Sequence, residues 1–202
     1  MIFWFDRLDS TNNVAKRLSS HIDNMSVIAA SCQFGGRGQG DHTWQSEPGA
    51  NLTFSSVLKF GEEEVLAARD ACTLTHIATW AVLRFLSDVG IEAKIKLPND
   101  IYVDGRKICG ILIENTLLGA NVKESIIGIG LNLNQRSFPS DLPNPVSACQ
   151  LTGKELDLDN SLRTLSGYIT SAYIKANSLQ GRKVLEEEFG KALLPICSEA
   201  GR

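Results

Sequence analysis

The sequence lacks any long hydrophobic stretch. No apolar run approaches the roughly 20 residues that a helix needs to cross a bilayer. The chain of 202 residues also begins without the basic segment and apolar core of a secretion signal. Neither secretion nor a membrane partner is therefore expected.

Cysteines are few and irregularly placed. None of the five belongs to a Cys-x-x-Cys pair, so neither a zinc site nor a disulfide framework is predicted. We interpret them as small buried hydrophobic residues in a reducing compartment, which places the protein in the cytoplasm. They are Cys32, Cys72, Cys109, Cys149 and Cys197.

An excess of positive charge is missing as well. The formal net charge is -3, whereas a nucleic-acid-binding domain needs a basic face, so no nucleic-acid partner is predicted. Apolar residues make up 43% of the chain and charged residues 21%, which is ordinary for a globular protein. We predict one domain over residues 1–202, since this length suffices for one substantial core.

Residue patterns predict an α+β fold, a central mixed sheet with helices on one face. Strands are predicted at 2–5, 26–32, 52–59, 91–97, 101–103, 108–114 and 124–133. Helices are predicted after Ser10, from the glutamates at 62–64 to Gly90 (as one helix or as two broken near Thr73), from Asn160 onward and at 182–189. The glycine-rich segment 33–50 is predicted to be a long loop, and such loops are often functional.

Two segments in the first fifty residues suit a polar or anionic ligand. Ser10, Thr11 and Asn12 place hydroxyl and amide groups at a helix start, where they can bind a polar head group or simply cap the helix. Gln33 leads into a loop whose glycines let backbone amides approach an anion closely. Arg37 adds a planar cation suited to phosphate or carboxylate. The glycine spacing is not that of a dinucleotide-binding turn.

Two further segments lie in the β-rich centre. Lys107 begins a strand just after a tight turn, from which a lysine can point into a cleft. Asp100 could hold magnesium or orient a nucleophile. Taken alone, however, a lysine is usually solvated, and Asp100 is a turn residue. The run Gly-Ile-Gly-Leu-Asn-Leu-Asn at 128–134 puts glycine inside a strand, which is typical of close backbone approach. Asn132 and Asn134 share one side of it and could contact a ligand.

In combination and order, these motifs resemble the catalytic domain of the biotin–protein ligases. The matching pieces are Ser-Thr-Asn, Gly-Arg-Gly with Trp-x-Ser downstream, Pro-Asn-Asp, Arg-Lys-x-x-Gly-Ile-Leu-x-Glu and Gly-Ile-Gly-x-Asn, all within residues 9–134. The resemblance implies a biotin/lipoate-ligase-like fold, similar to that of class II aminoacyl-tRNA synthetases. It also implies an enzyme that converts biotin and ATP to biotinyl-5′-AMP and pyrophosphate. The biotinyl group would then pass to a lysine of the biotin carboxyl carrier protein of a carboxylase.

The resemblance implies roles for individual residues. Ser10, Thr11 and Gln33 would bind the ureido head of biotin, while Arg37 and Lys107 would meet its carboxylate and the α-phosphate of ATP. The full set implied to bind biotin or its adenylate is Ser10, Thr11, Asn12, Gln33, Gly36, Arg37, Gly38, Gln39, Trp44, Lys107, Gly110 and Asn132.

Other implied roles concern the nucleotide and the second substrate. Trp44 would lie near the adenine or cover the site. Asn99 and Asp100 would help with Mg²⁺ and with the incoming lysine, and Asn134, like Asn99, would lie on the nucleotide side. The implied catalytic residues are Lys107, Arg37 and Asp100, with Asp100 as the magnesium ligand.

The residue types suit this reaction on chemical grounds. A carboxylate must attack an anionic phosphorus, so cations at Arg37 and Lys107 would reduce the repulsion. One preorganised group of this kind is typically worth roughly 10²–10³ in rate. A glycine-rich loop over residues 35–43 that is mobile when empty can close over the adenylate and exclude water.

Three features depart from the family's pattern. Gln39 stands where many members carry a second arginine, which removes a charge beside the adenylate. Leu97 stands where a tryptophan usually precedes Pro-Asn-Asp. The family commonly ends in a small β-barrel domain, for which too few residues follow, and no helix-turn-helix domain precedes residue 9. Repression of transcription is therefore not expected.

Two other functions stay open. A lipoate–protein ligase would use the same adenylate chemistry, but the polar groups at Ser10, Thr11 and Gln33 favour biotin. A buried ureido group needs hydrogen-bond partners, whereas a dithiolane ring does not. A non-catalytic biotin-binding module is disfavoured by the presence of Arg37 and Lys107. The sequence does not distinguish a monomer from a homodimer.

Overall fold

The computed structural model describes residues 1–61 and 65–195, which form one sheet with helices on both of its faces. The strands are β1 (Ile2–Leu8), β2 (Ser26–Gln33), β3 (Leu52–Lys59), β4 (Leu66–Ala67), β5 (Lys94–Lys96), β6 (Asp100–Val103), β7 (Arg106–Leu118) and β8 (Asn121–Leu131). The helices are α1 (Thr11–Leu18), α2 (Cys72–Asp88), α3 (Ala148–Thr152), α4 (Leu158–Ala176) and α5 (Leu179–Ala192).

The sheet is mixed, as the sequence predicts. Its strand order is β1-β2-β3-β8-β7-β6-β5, and β4 pairs with the beginning of β8. Only β1 and β2 run parallel, and the other described pairs are antiparallel. The predicted α+β class with a central mixed sheet is therefore confirmed.

Alternate residues of the central strands enter two separate cores. In β8, Ile127 and Ile129 pack with α2, α4 and α5, whereas Ile126 belongs to a smaller cluster with Val14 and Ala15 of α1. Successive side chains of a strand point to opposite faces, so α1 lies on the other face of the sheet. The expectation of helices on one face only is wrong for α1.

The second predicted helix begins later than its sequence pattern indicates. Its start at 62–64 lies outside the described residues, but the next segment is strand β4, whose Leu66 pairs with Val122 of β8. A short 3-10 turn over 68–70 follows, and α2 begins at Cys72. Pairing with the sheet supplies the backbone partners of this segment, which overrides its local helical preference.

The ends of several other elements also differ from prediction. The strand predicted at 91–97 is reduced to Lys94–Lys96 at the sheet edge, while β7 continues to Leu118. Helix α3 is not predicted from periodicity because it has only five residues. Its Ser147 and Gln150 form a reciprocal capping box, which stabilises so short a helix.

The cysteines are only partly as predicted. Cys109 and Cys149 are buried and Cys32 is half-buried, but Cys72 is exposed at the start of α2; Cys197 lies outside the described residues. Burial raises the pKa of the Cys109 thiol, which keeps it in the unreactive protonated form.

No helix within residues 1–61 and 65–195 is long and apolar enough to span a membrane.

Candidate functional site

A cavity of about 250 Å³ opens on the face of the sheet that carries α1. It lies between the start of α1, the loop that follows β2 and the strands β6, β7 and β8. Twelve of the predicted site residues line it: Ser10, Thr11, Asn12, Gln33, Arg37, Gly38, Gln39, Trp44, Asn99, Asp100, Lys107 and Gly110.

The floor of the cavity is made of glycine backbone. Gly110 of β7 pairs directly with Gly130 of β8, and Gly128 lies two residues before Gly130 on the same face. A Cβ at Gly128 would lie 2.1 Å from Asn12 Oδ1, and one at Gly130 would lie 2.3 Å from Trp44 Cε2. The close backbone approach that the sequence indicates at 128–130 is confirmed.

A buried polar cluster closes one end of the cavity. Ser10, Thr11 and Asn12 are each at most 4% exposed, and Ser10 makes no side-chain capping hydrogen bond. Instead, Gln33 Oε1 accepts a hydrogen bond from the backbone N–H of Thr11 at 2.7 Å. The first turn of α1 is thus capped by a residue of the neighbouring strand, which leaves the Ser10 hydroxyl at the cavity.

Ser55 of β3 joins this cluster, although nothing in the sequence singles it out. Its hydroxyl oxygen lies 2.8 Å from Thr11 Oγ1 and 2.6 Å from Asn12 Oδ1. A hydroxyl has one proton, so Ser55 donates to Asn12 and accepts from Thr11. Sequence reasoning misses Ser55 because a serine inside a strand has no distinctive local pattern, and only the register of β3 with β8 places it opposite Gly128.

The glycine-rich loop forms a narrow antiparallel turn above the floor. Gly38 N–H donates to His42 O at 2.7 Å, and Trp44 N–H donates to Gly36 O at 3.0 Å. A Cβ at Gly36 would lie 2.4 Å from Trp44 O, so only glycine allows this spacing. Gly36 therefore shapes the loop and does not line the cavity, while Arg37 and Trp44 do.

Each of the two cations at the cavity has a carboxylate partner. Lys107 Nζ lies 2.7 Å from Asp100 Oδ1 and 5.9 Å from the centroid of the Trp44 ring. Arg37 Nη2 donates to Glu114 Oε2. Burial opposes ionisation of Glu114, but hydrogen bonds from Asn12 and Arg37 outweigh it and hold the pKa of this carboxyl below its usual value.

Three predicted asparagines use their amides on the protein backbone. Asn132 Nδ2 donates to Val146 O at 3.1 Å, and Asn134 exchanges two hydrogen bonds with the backbone of Leu156. Neither residue is among those that line the cavity, so the predicted ligand contacts of Asn132 and Asn134 are not supported. Asn99 reaches the cavity, but its Nδ2 donates to Ile111 O at 2.7 Å.

Carboxylates are scarce around the cavity. Asp100 is the only one among its lining residues, and no group of three or more His, Cys, Asp and Glu residues within the described chain could hold a metal ion. A single carboxylate fits Mg²⁺ that arrives with a nucleotide, because this ion keeps water and phosphate oxygens as most of its ligands.

Comparisons with known proteins point to one family. The model of the biotin/lipoate A/B protein ligase family matches residues 4–132. The chain is 32% identical over 161 residues to the bifunctional ligase/repressor BirA of Bacillus subtilis, covering 77% of this chain and 48% of that protein. The chain thus spans about half the length of this relative.

Two further relatives match more of their own length. Identity to the biotin–[acetyl-CoA-carboxylase] ligase of Paracoccus denitrificans is 30% over 164 residues, which covers 79% of this chain and 68% of the relative. The solved structure of the biotin protein ligase from Aquifex aeolicus in complex with biotin and ATP superposes with a TM-score of 0.78 at 26% identity. That superposition covers 96% of this chain and 78% of the other.

Proposed function

The chain belongs to the biotin/lipoate A/B protein ligase family, and on that premise we propose that it is a biotin–protein ligase. It activates biotin with ATP to biotinyl-5′-AMP and transfers the biotinyl group to a lysine of a carrier protein. One observation carries this proposal. A single cavity joins a buried polar cluster, suited to a ureido head, to two cations suited to a carboxylate and a phosphate.

The polar end of the cavity accounts for recognition of the biotin head. Ser10, Thr11, Asn12 and Gln33 present hydroxyl and amide groups there, and a ureido group offers both donors and an acceptor. Removing such a group from water without partners costs roughly 1–3 kcal/mol per hydrogen bond. The buried donors and acceptors at α1 offset that cost.

The cationic side of the cavity accounts for adenylation. A carboxylate oxygen of biotin attacks the α-phosphorus of ATP, the bond from that phosphorus to the bridging oxygen breaks, and pyrophosphate leaves. Arg37 and Lys107 reduce the repulsion between the two anions, and they stabilise the negative charge on the phosphoryl oxygens in the transition state. The Trp44 indole between loop and floor keeps water from the mixed anhydride.

The second step consumes the adenylate. The Nζ atom of the acceptor lysine attacks the acyl carbon of biotinyl-5′-AMP, the acyl carbon–oxygen bond to phosphate breaks, and AMP leaves. The attacking amine must be neutral, and the proton that it then loses passes to the departing AMP phosphate or to solvent. We expect Asp100, which lines the cavity, to orient the amine. Mg²⁺, bound by phosphate oxygens and Asp100, would supply further positive charge when present. The name of the Paracoccus relative makes the carrier domain of acetyl-CoA carboxylase the acceptor to try first.

Lipoate is the second candidate substrate because the family includes lipoate ligases. Its dithiolane ring has no donors for Ser10, Thr11 and Gln33 to bind. Filling the polar end with this ring would displace water from the remaining hydrogen-bonding positions of these groups without replacing it, so we expect discrimination in favour of biotin.

The proposal is tested by incubating the protein with ATP, Mg²⁺ and a biotin carboxyl carrier domain, once with biotin and once with lipoate. We expect a biotin-sized mass increase on the carrier, together with biotin-dependent release of pyrophosphate. A mass increase with lipoate alone would assign the lipoate ligase instead. Tight biotin binding without pyrophosphate release would identify a binding module.

A further inference from the structure

The Glu114 carboxylate lies between two of the segments that line the cavity. It accepts a hydrogen bond from Asn12 Nδ2 at 2.8 Å and another from Arg37 Nη2. Asn12 belongs to the buried cluster at the start of α1, and Arg37 belongs to the glycine-rich loop. Glu114 therefore links the side chains of Asn12 and Arg37. The two segments are also joined by hydrogen bonds from Thr11 N–H to Gln33 Oε1 and from Gly35 N–H to Asp9 O.

The hydrogen bonds continue beyond Asn12 as an unbroken chain. Thr11 donates to Ser55, Ser55 donates to Asn12, and Asn12 donates to Glu114. Every member has a defined donor or acceptor role, so the chain has one consistent direction. It ends at Glu114, which also accepts from Arg37 Nη2, so donors from the buried cluster and from the cation converge on one carboxylate.

Glu114 itself is not among the residues that line the cavity, whereas Arg37 is. Glu114 contacts Arg37 through Nη2. A guanidinium has five N–H donors in a fixed plane, so Arg37 can keep this contact and still present other donors to a ligand. Any effect of Glu114 on a ligand therefore passes through Arg37 and Asn12.

We propose that Glu114 is a positioning residue that holds Arg37 at a fixed distance from the head-group cluster. With Glu114 in place, the ureido end and the carboxylate end of one ligand meet their partners at the same time. This inference rests on the proposed biotin ligase function, because it takes the ligand to have those two ends. Without Glu114, Arg37 samples other rotamers and the glycine-rich loop loses its ion pair with β7, while Trp44 still packs on Gly110 of that strand.

The test compares Glu114→Gln with Glu124→Gln. Both replace a glutamate of the central sheet with its neutral isostere, and Glu124 lies on β8 outside the set that lines the cavity. We expect Glu114→Gln to lower kcat/KM for biotin in pyrophosphate release by about five- to tenfold, since a charge-assisted hydrogen bond is replaced by a neutral one. Glu124→Gln keeps the wild-type value.

A double-mutant cycle separates positioning from a general loss of structure. If Glu114 acts through Arg37, then adding Glu114→Gln to Arg37→Ala lowers kcat/KM further by less than about twofold. The proposal is overturned if the two substitutions lower kcat/KM independently, so that the factors of the single variants multiply in the double variant. A wild-type kcat/KM for Glu114→Gln alone would also overturn it. Equal circular dichroism spectra and melting temperatures establish that each variant is folded.

Hydrogen exchange of the ligand-free protein provides a second readout that needs no turnover. Glu114→Gln should speed the exchange of the Gly38 and Trp44 amides, whereas Glu124→Gln should not. If the wild type releases no pyrophosphate with biotin, the proposed function fails, and this exchange result alone decides the role of Glu114. Unchanged exchange at both amides would then reject the positioning role.

Discussion

The indole of Trp44 lies directly on the backbone of Gly130. A Cβ on that glycine would come within 2.3 Å of Trp44 Cε2, and one on Gly110 across the strand pair would come within 3.1 Å of Cζ3. The ring can occupy the floor only because both paired positions lack a side chain. Its Nε1 is buried and has no hydrogen-bond partner among the described residues.

We expect Gly130→Ala to displace Trp44 and to slow adenylation by up to about 10²-fold, because small misplacements around a reacting centre have effects of this size. The matched control is Gly167→Ala in the middle of α4, where an added Cβ meets no atom within 4 Å. It should keep full activity and raise the free energy of unfolding by about 0.5–1 kcal/mol. Wild-type pyrophosphate release from Gly130→Ala would show that the contact is not needed.

Lys107→Ala should retain the fold and slow biotin-dependent pyrophosphate release by about 10²–10³-fold. The substitution removes the cation and leaves Asp100 without its partner at 2.7 Å. Lys123→Ala, an exposed lysine in β8, is the matched control and should behave as wild type. Near-normal turnover of a folded Lys107→Ala protein would remove this residue from the mechanism.

Gln39→Arg should slow the escape of biotinyl-5′-AMP by up to about tenfold, because Gln39 lines the cavity and a charged hydrogen bond exceeds a neutral one by about 1 kcal/mol. The dissociation rate of the adenylate is measured directly, with Gln180→Arg on α5 as a control for added charge far from the cavity. An unchanged or faster rate in Gln39→Arg would mean that other contacts already retain the intermediate.

The amides of residues 35–43 should become protected from hydrogen exchange when biotinyl-5′-AMP binds. Among these amides, backbone hydrogen bonds are donated by Gly35 to Asp9 O, by Gly38 to His42 O and by His42 to Gln39 O, which leaves the other amides of the segment free to gain protection. Ordering a glycine-rich segment costs roughly 1–2 kcal/mol per residue unless new contacts offset it. Equal protection with and without the adenylate would contradict closure of the loop.

Asp9→Asn should reduce stability in a pH-dependent way. Arg17, together with Asn13, holds the pKa of the Asp9 carboxyl well below its usual range. A depressed pKa stabilises the fold above the unfolded pKa of about 3.9, and this stabilisation is lost as the pH falls through the folded-state value. In urea unfolding, Asp9→Asn should therefore have a lower free energy of unfolding than the wild type at pH 7, and this difference should narrow steadily below about pH 4. If the substitution lowers the free energy of unfolding equally at pH 7 and pH 3, the loss of stability comes from packing and not from the charge of Asp9.

The residues whose position at the cavity can be predicted from the sequence are those that stand in a recognisable local pattern. Ser10, Arg37 and Lys107 each stand in a short motif, and the structure brings all three to one cavity. The glycines of β8 are also interpretable, because glycine weakens a strand interior and is usually found there where another group must approach the backbone closely.

The residues that the sequence predicts poorly depend on pairing between distant segments. Ser55 reaches the site only through the register of β3 with β8, and Glu114 acquires its contacts from α1 and from the loop. The asparagines at 132 and 134 look like ligand contacts, yet their partners are the backbone of later segments. Among the described helices, only α1 packs on its face of the sheet, and the periodicity of its sequence does not reveal this placement.

The alternation along β8 makes the protein intolerant of a change in strand length at this point. Gly128 and Gly130 face the cavity while Ile127 and Ile129 face the main core. A single-residue insertion or deletion in β8 would reverse every side chain beyond it. Isoleucine would then fill the ligand space and glycine would leave holes under α2 and α4. Length variation among natural or engineered versions of this domain should therefore be confined to the turn at 119–120 and the loops, and a selection for insertions should recover none within residues 126–131.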